Sequence, residues 1–254
     1  MNKDIEEEIK RKYGFLPLNA GVLHVTAVWQ SPEGNYVTLK INENTPKSEE
    51  DVFALNLARA RADVIITSGK ILREEPDLTH NLWHNEKALL QWRRTVLKKK
   101  SPPYSIILTS GRDLDFTHPI FSQNNWTTPI VYVPYDFPSE LEAKAKRVGV
   151  QLRVHPKNGK ITLQEVIEFA ESNLDARTIS IEAGPSISAE LYQDPIIVNE
   201  LMLSIYKSQH LNKDFEGGKF ISPKDIERIF SSPKASYSKD SWEFKRYTRK
   251  QPHL

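Results

Sequence analysis

Short apolar runs alternate with helical stretches along most of the chain, and this alternation predicts an α/β fold. Apolar or alternating runs a few residues long are typical of strands. Such runs predict strands at about 23–29, 36–41, 64–67, 104–109, 130–133, 150–154, 178–182, 199–206 and 241–248. Because strands that alternate with helices usually form parallel sheets, we expect one domain over residues 21–254 with a mainly parallel central sheet flanked by helices. Its C-terminal strands are expected to be antiparallel.

Helices are predicted where apolar residues recur every three or four positions between these strands. The charged segment 2–13 predicts a helix that docks through Ile5 and Ile9, within an N-terminal helical extension over residues 1–20. Ser48 is the expected cap of a second helix because acidic residues follow it in the first turn. Further helices are predicted at 71–75, 86–98, 139–148, from 162 onward, and at 186–192, where Ser186 is the expected N-cap.

Composition and charge narrow the class of protein without identifying its function. Hydrophobic residues make up 39% and charged residues 27% of the 254 residues, which is ordinary for a globular protein. The formal net charge of +2 gives no basic field for nucleic acid, and the absence of cysteine excludes thiolate catalysis and zinc–thiolate sites. The charged N-terminus does not match a signal peptide, and no apolar run approaches the roughly 20 residues of a membrane helix. We therefore expect a soluble, cytoplasmic protein that acts on a small molecule, without nucleic-acid or membrane partners.

Common nucleotide-binding motifs are incomplete in this chain. Ser68-Gly69-Lys70 follows a predicted strand and precedes a predicted helix, as a P-loop does. However, Val64 stands where that motif needs its first glycine, and Ile71 stands where it needs serine or threonine. No G-x-G-x-x-G sequence occurs, so a Rossmann dinucleotide site has no support.

Two pairs of polar residues are candidates for a metal site or an acid–base site. His80 and His84 are four residues apart but lack the H-E-x-x-H pattern, so no metal site is expected. Glu74 and Glu75 are adjacent on a predicted helix and therefore diverge, which favours surface and capping roles over a general acid–base pair.

Small and hydroxyl-bearing residues follow three of the predicted strands. These strand ends are Thr67-Ser68-Gly69, Thr109-Ser110-Gly111-Arg112 and Glu182-Ala183-Gly184-Pro185. Ligands of open α/β sheets gather beyond the carboxyl ends of the strands. A glycine there lets a phosphate approach the backbone, and a following helix start offers free N–H groups to an anion. The three strand ends together predict a site for an extended anionic ligand.

Five segments, in this order and spacing, resemble one known family. They are Ser31-Pro32-Glu33-Gly34, Leu57 to Ile66, Leu72 to Thr79, Ser105 to Ser110, and Glu182 to Pro185 followed by Val198-Asn199-Glu200-Leu201. From about His24 to Thr248 the chain resembles the reductase domain of the bifunctional riboflavin-biosynthesis deaminase-reductase, a relative of dihydrofolate reductase. The resemblance implies a dihydrofolate-reductase-like fold, hydride transfer from NADPH to the ribose of a phosphoribosylamino-pyrimidine, and a homodimer.

The same resemblance implies where the cofactor and the reacting groups lie. The NADPH pyrophosphate would rest on helix starts near Gly69 and Gly184, and Ser110 with Arg112 would meet the 2′-phosphate. The full set of implied cofactor-binding residues is Ser68, Gly69, Lys70, Thr109, Ser110, Arg112, Ala183, Gly184, Pro185 and Ser186. Glu33 and Glu182 are the expected catalytic carboxylates beside the hydride path, with Glu33 preferred as the proton-relay residue.

Several residues depart from the family's pattern. Ala27 replaces a lysine near the reacting centre, Glu33 replaces the aspartate of S-x-D-G, and Asn81 replaces an arginine that would hold a substrate phosphate. Thr67 and Lys70 replace the first glycine and the threonine of a V-G-x-G-T segment. Three interpretations therefore stay open: the family's own reaction, a reductase of the same fold that acts on another carbonyl or imine, and a non-catalytic binding or oligomerisation member.

One backbone feature is also implied by the resemblance. Relatives have a cis peptide in the glycine–glycine turn of their E-G-G-P segment, and the corresponding bond here joins Ala183 to Gly184. A cis bond before a residue other than proline costs about 3 kcal/mol, so this turn would need local support to adopt it.

Overall fold

The computed structural model describes residues 2–40, 45–82, 86–122, 126–156 and 158–251. The α-helices in these ranges are α1 Asn2–Tyr13, α2 Glu49–Arg61, α3 Gly69–Glu74, α4 Glu86–Thr95, α5 Glu140–Arg147, α6 Leu163–Asn173, α7 Pro185–Ser188 and α8 Pro223–Ile229. The strands are β1 Gly21–Gln30, β2 Tyr36–Leu39, β3 Val64–Ser68, β4 Tyr104–Leu108, β5 Thr128–Val133, β6 Gln151–Val154, β7 Thr178–Ile181, β8 Glu200–Tyr206, β9 Glu216–Lys219, β10 Ala235–Lys239 and β11 Trp242–Thr248.

All strands of the described ranges join one sheet, whose main path runs β10-β11-β8-β1-β7-β3-β4-β5-β6. Pairing is parallel from β8 through β6, as expected for strands that alternate with helices. Antiparallel pairing joins β11 to β8 and β10 to β11, and an antiparallel ribbon of β2 and β9 extends from β1. The predicted α/β class is confirmed: a single domain with a mainly parallel central sheet and antiparallel C-terminal strands. Within that C-terminal part, β8 itself runs parallel to β1.

Helices cover both faces of the sheet and bury its apolar side chains. On one face, α1, α2 and α4 pack on β1 and β8, and Ile5 and Ile9 dock α1 into this layer as the sequence predicts. On the other face, α6 and α8 cover β1, β3, β7 and β8. A third apolar cluster joins α5 to β4, β5 and β6. None of the helices in the described ranges combines the length and apolar character that crossing a bilayer requires.

Three segments differ from the sequence prediction. Gly217-Gly218, predicted as a loop, lies in β9, where a Cβ on Gly217 would stand 2.7 Å from the carbonyl oxygen of Thr38 in β2. The glycine therefore allows a close strand pairing that a larger residue would prevent. The predicted helix 186–192 starts instead at Pro185 with Gly184 as its N-cap, and Ala189–Tyr192 continues as a 3-10 turn. The predicted strand 36–41 ends at Leu39, and its last residue, Ile41, lies outside the described residues.

The central strand β1 has a short opening on one side. The register pairs its residues up to His24 with β7 and those from Val28 onward with β2. Between them, Val25–Ala27 is paired with β8 on the other side only, in the part of the chain that the structure describes. All three residues are partly exposed, although they lie in the middle of the sheet. We call this three-residue segment the sheet opening.

A group of three charged side chains lies sealed between α2, β8 and β11. Glu200 accepts hydrogen bonds from Arg61 at 2.5 and 3.1 Å and from Arg246 at 3.2 Å. Each residue is 3% exposed or less. Burial alone would raise the pKa of Glu200, but the guanidinium groups of Arg61 and Arg246 outweigh burial and lower it. We call this group the sealed triad.

Candidate active site

The carboxyl ends of β3 and β4 and the start of α7 enclose an open cleft of about 220 Å³. Its lining residues are Ser68, Lys70, Arg73, Leu108, Thr109, Ser110, Gly184, Pro185, Ser186 and Ile187. Seven of the ten residues that the resemblance implies for cofactor binding are therefore brought together from three separate strand ends. Arg73 was not among them, and it adds a second cation beside Lys70.

Local structure explains the shape of this cleft. The Ser68 side chain caps α3 by accepting a hydrogen bond from the Ile71 N–H. A Cβ on Gly69 would lie 2.9 Å from the Thr109 hydroxyl oxygen, so only glycine lets the β3–α3 turn approach the end of β4 this closely. At α7, Gly184 has no side chain to cap the helix, which leaves its start open to a bound anion.

Arg112 lies in a second depression beside the cleft. This depression, of about 370 Å³, is lined by residues 111–114 together with Pro138, Glu140, Leu141 and Lys144. Ser110 lines the cleft and Gly111 lines the depression, so the two adjoin along the end of β4. Arg112 is exposed there. Ser110 therefore lies in the cleft and Arg112 in the neighbouring depression. An extended ligand that spans the cleft and the depression could contact both residues.

The predicted carboxylate Glu182, at the end of β7, is held by an arginine of α2. Arg59 donates from Nε at 3.1 Å and from Nη2 at 2.8 Å to the Glu182 carboxylate. Its Nη1 donates to the Asn81 carbonyl oxygen at 2.9 Å. Since two N–H groups of Arg59 hold the carboxylate, Glu182 is fixed in one orientation.

Glu75 is a second acid in this region, and the sequence interpretation missed it. It is the C-cap of α3, but burial, together with the negative charge of Glu182, raises its pKa to about 7. A carboxyl group with this pKa can hold and release a proton near neutral pH. The sequence predicts a surface or capping role for Glu75 because neighbouring helical positions diverge. One sequence signal could have pointed to Glu75 as a site residue. It lies directly before Pro76, in the segment Leu72 to Thr79 that resembles the family.

His80 completes a polar group with these residues. Its Nδ1 is hydrogen-bonded to the Ser105 hydroxyl of β4, and its Nε2 lies 3.9 Å from a Glu182 oxygen. Burial, with a further contribution from the Arg59 charge, holds the pKa of His80 well below its usual value. The imidazole is therefore neutral at physiological pH. We call Arg59, Glu75, His80 and Glu182 the cleft cluster.

Glu33, the preferred proton-relay residue in the sequence interpretation, has a different setting. It is exposed in the turn between β1 and β2, and a hydrogen bond with Ser31 lowers its pKa. An exposed carboxyl group with a lowered pKa is ionised at neutral pH and has no proton to give. The acid that lies beside Glu182 is Glu75.

The remaining expectations concern Asn81, the Ala183–Gly184 peptide bond and a metal site at His80 and His84. The Asn81 side chain accepts a hydrogen bond from the Trp126 N–H at 2.8 Å and so has a structural contact of its own. The cis peptide bond found in the described ranges is Asp194–Pro195, and the Ala183–Gly184 bond is not cis. His84 lies outside the described residues, and those that are described contain no group of three or more side chains suited to a metal ion.

Comparison with known families gives one match, to the RibD C-terminal domain, over residues 30–206. This span includes β3, β4 and β7, the start of α7, and every residue of the cleft cluster. No curated protein matches the sequence.

Solved structures with the same fold extend over nearly the whole chain. A pyrimidine reductase-like protein from Corynebacterium diphtheriae aligns with a TM-score of 0.69 and 22% identity, over 95% of this chain and 98% of that one. The riboflavin biosynthesis reductase Rib7 of Saccharomyces cerevisiae aligns with a TM-score of 0.60 and 16% identity, over 97% and 100%. RibD of Acinetobacter baumannii aligns with a TM-score of 0.61 and 16% identity over 92% of this chain, which spans 58% of RibD. At these identities the likeness establishes the fold, and it confirms the predicted dihydrofolate-reductase-like architecture.

Proposed function

This chain belongs to the RibD C-terminal domain family, as its motifs predict, and we propose that it is an NADPH-dependent reductase. The family identifies it as an oxidoreductase of the riboflavin-pathway type that uses a pyridine nucleotide. We further propose that the protein prefers NADPH to NADH and that its substrate differs from that of the riboflavin pathway. The observation that carries it is the convergence of three separate strand ends on one cleft that contains two cations, four hydroxyl groups and an uncapped helix start.

The cleft residues fit the chemistry of a dinucleotide. The open start of α7, with Lys70 and Arg73 nearby, suits the two charges of a pyrophosphate. Ser110 and Arg112 suit a further phosphate on the adenosine ribose, since a guanidinium can donate two hydrogen bonds to it. NADPH, when bound, supplies the hydride.

The chain's own residues supply orientation and the proton. Arg59 fixes the orientation of Glu182, so that this carboxylate can hold a donor group of the substrate. Glu75 keeps a proton near neutral pH and can donate it to the reduced atom. In this proposal Glu75 takes the proton-relay role first expected of Glu33.

The preference for NADPH is tested by titrating NADPH and NADH into the protein and following nucleotide fluorescence. Arg112→Ala is expected to weaken NADPH binding about tenfold, because a charge-assisted phosphate contact contributes about 1.5 kcal/mol or more, and to leave NADH binding unchanged. Lys146→Ala, which removes an exposed cation of α5 outside the depression, is the matched control and should affect neither nucleotide. Equal losses for both nucleotides would exclude Arg112 as the 2′-phosphate contact. Failure of the wild-type protein to bind either nucleotide would favour the non-catalytic interpretation.

The substrate is proposed to differ from the riboflavin-pathway compound, 5-amino-6-(5-phosphoribosylamino)uracil. A phosphorylated ribose brings negative charge into a partly buried site, where it needs cations or N–H donors. Ala27 and Asn81 stand at the family's lysine and arginine positions, and neither side chain carries a positive charge. The loss of such partners commonly costs several kcal/mol, about 100-fold or more in rate.

A direct assay tests this part of the proposal. NADPH oxidation with the riboflavin-pathway compound is followed for this protein and for a family reductase, side by side. Turnover within about tenfold of the family enzyme, a difference of about 1.4 kcal/mol, would restore the family's own function. Nucleotide binding without turnover would support a same-fold reductase with another substrate.

A homodimer is proposed on the family resemblance alone. Light scattering of the purified protein measures its mass directly, and a monomer at micromolar concentration would contradict this part of the proposal.

A further inference from the structure

His118 links the segment between β4 and β5 to the cleft cluster. The residue is buried, and its Nε2 lies 3.0 Å from the main-chain carbonyl oxygen of Glu75. Its Nδ1 accepts a hydrogen bond from the Ile120 N–H at 3.2 Å and so caps the 3-10 turn Pro119–Phe121. Since Nδ1 is an acceptor, Nε2 is the ring nitrogen that carries the proton, and it donates this proton to the Glu75 oxygen.

The main chain of Glu75 is held on both sides of its Cα atom. Its N–H donates to the Ile71 carbonyl oxygen at 2.8 Å, and its own carbonyl oxygen accepts from the Leu78 N–H at 3.0 Å as well as from His118. At φ −127° and ψ 76° Glu75 has left helical geometry, so α3 does not set the direction of this carbonyl group. Because the side chain starts from the same Cα atom, fixing both peptide groups also fixes the direction of the Cα–Cβ bond.

The carboxyl group of Glu75 depends on this main-chain support. No residue in the described ranges forms a hydrogen bond or a salt bridge with it. Its raised pKa comes first from burial and then from the charge of Glu182, with Arg59 acting in the opposite direction. Both causes require that the carboxyl group stays inside the cleft cluster, so a turn of the side chain toward water would remove them together.

The charged and titratable groups near Glu75 and His118 come from several elements. They are Arg59 of α2, Glu74 of α3, His80 of the segment after α3, Asp115 of the segment after β4, and Glu182 of β7. All of these act on Glu75 or on His118 through their charge. His118 differs from them because it holds the main chain of Glu75.

We propose, on the premise that the protein is the reductase described above, that His118 is a positioning residue which keeps the Glu75 carboxyl group beside Glu182 by holding the Glu75 carbonyl oxygen. His118 is not itself a proton donor to the substrate, because both ring nitrogens are already used, one by Glu75 and one by Ile120. Without its hydrogen bond the peptide group after Glu75 can turn. The carboxyl group then moves toward water, where its pKa falls.

Two substitutions separate the two hydrogen bonds of His118. In His118→Asn the amide oxygen lies near the place of Nδ1, so the cap on Ile120 is kept, but the side chain is too short to reach Glu75. In His118→Gln the amide N–H lies near the place of Nε2, so the bond to Glu75 is kept and the cap is lost. We expect kcat/KM of His118→Asn at neutral pH to fall about 10–100-fold, and the alkaline fall of its pH profile to begin at lower pH. His118→Gln should restore most of the rate and the pH profile, with a lower melting temperature.

Two controls test whether His118 acts through Glu75. His155→Asn removes another buried histidine, which is hydrogen-bonded to Tyr132 outside the cleft, and it should leave the pH profile unchanged. The double variant Glu75→Gln/His118→Asn should be no slower than Glu75→Gln alone, because the two residues then act as one unit. Equal losses in His118→Asn and His118→Gln, or additive losses in the double variant, would overturn the proposal.

A measurement without substrate follows Glu75 directly. Carbon-13 NMR of labelled glutamate carboxyl groups, with Glu75→Gln to assign the signal, should show the wild-type Glu75 titrating at pH about 7. In His118→Asn the same signal should titrate at lower pH, and an unchanged titration would overturn the proposal. Failure to bind any nicotinamide nucleotide would instead reject the proposed function, and the NMR titration would still decide whether His118 positions Glu75.

Discussion

Two arginines of α2, two residues apart, each hold a carboxylate, but the ratio of cations to acids around the two carboxylates is opposite. In the sealed triad, Arg61 and Arg246 surround the single carboxylate of Glu200. In the cleft cluster, the single guanidinium of Arg59 faces Glu182 directly and also acts on Glu75. The first group has two cations for one acid, and the second has two acids for one cation.

This difference in the ratio of cations to acids suits the sealed triad to a structural role and the cleft cluster to a chemical role. With cations in excess, Glu200 has a lowered pKa and stays ionised, so the triad has one protonation state over the physiological range. In the cleft cluster, burial and then the charge of Glu182 raise the pKa of Glu75 to about 7, so this group can gain or lose a proton. The sealed triad therefore fixes the packing of α2 on β8 and β11, whereas the cleft cluster can take part in a reaction.

The largest effect is expected from breaking the sealed triad. Glu200→Gln leaves two buried guanidinium groups without a countercharge and should lower the free energy of unfolding by about 3–5 kcal/mol. Urea denaturation measures the loss. Glu243→Gln, which breaks the more exposed contact with Lys207, is the control and should cost less than about 1 kcal/mol. Equal losses in the two variants would mean that the triad has no special structural role.

The same substitution at Arg59 and Arg61 tests whether the two arginines have different roles. Lysine keeps the charge but loses the planar fork, so Arg61→Lys should lower the free energy of unfolding by about 2 kcal/mol, since two buried hydrogen bonds are disturbed. Arg59→Lys should mainly lower kcat/KM of the reductase, by about 10–100-fold, because Glu182 loses its fixed orientation. Denaturation and steady-state kinetics on both variants measure the contrast. The distinction fails if both variants lose stability and activity in the same proportion.

A third expected change concerns the pH profile of the cleft cluster. The folded pKa of Glu75 is raised, so its protonated form is present below pH about 7 and is lost as pH rises through that value. The reductase rate kcat/KM should therefore fall above pH about 7 in the wild type. Glu75→Gln should lower the rate at acid pH by about 100-fold and remove this alkaline limb. A limb that persists in Glu75→Gln would assign the proton to another group.

Much of the fold follows from local pattern. The apolar runs of β3, β4 and β7 are short and β-branched, and the small residues after them mark where a ligand site forms at the sheet edge. The strand β9 could not be predicted in the same way. It contains two glycines in four residues, and its partner β2 lies almost 180 residues away in the chain.

The chemistry of the site was harder to predict than its position. In the segment Leu57 to Asp63, Arg59 and Arg61 each lie between two alanines. The neighbouring sequence therefore does not distinguish the roles of the two arginines. The difference arises from Glu182 and Glu200, which the fold brings to them from more than 120 residues away. The raised pKa of Glu75 likewise comes from burial and from the charge of Glu182. Neither cause can be predicted from the residues next to Glu75 in the sequence.

The position of Trp29 gives the protein a built-in optical reporter. Its indole N–H donates to the Ser208 carbonyl oxygen at 2.9 Å, and the residue lies on β1 two positions beyond the sheet opening. Indole emission overlaps the absorption band of reduced nicotinamide, so excitation energy can transfer from Trp29 to a nucleotide bound nearby. Loss of tryptophan emission on adding NADPH, compared between the wild type and Trp29→Phe, would then follow occupancy of the cleft in real time without any attached dye.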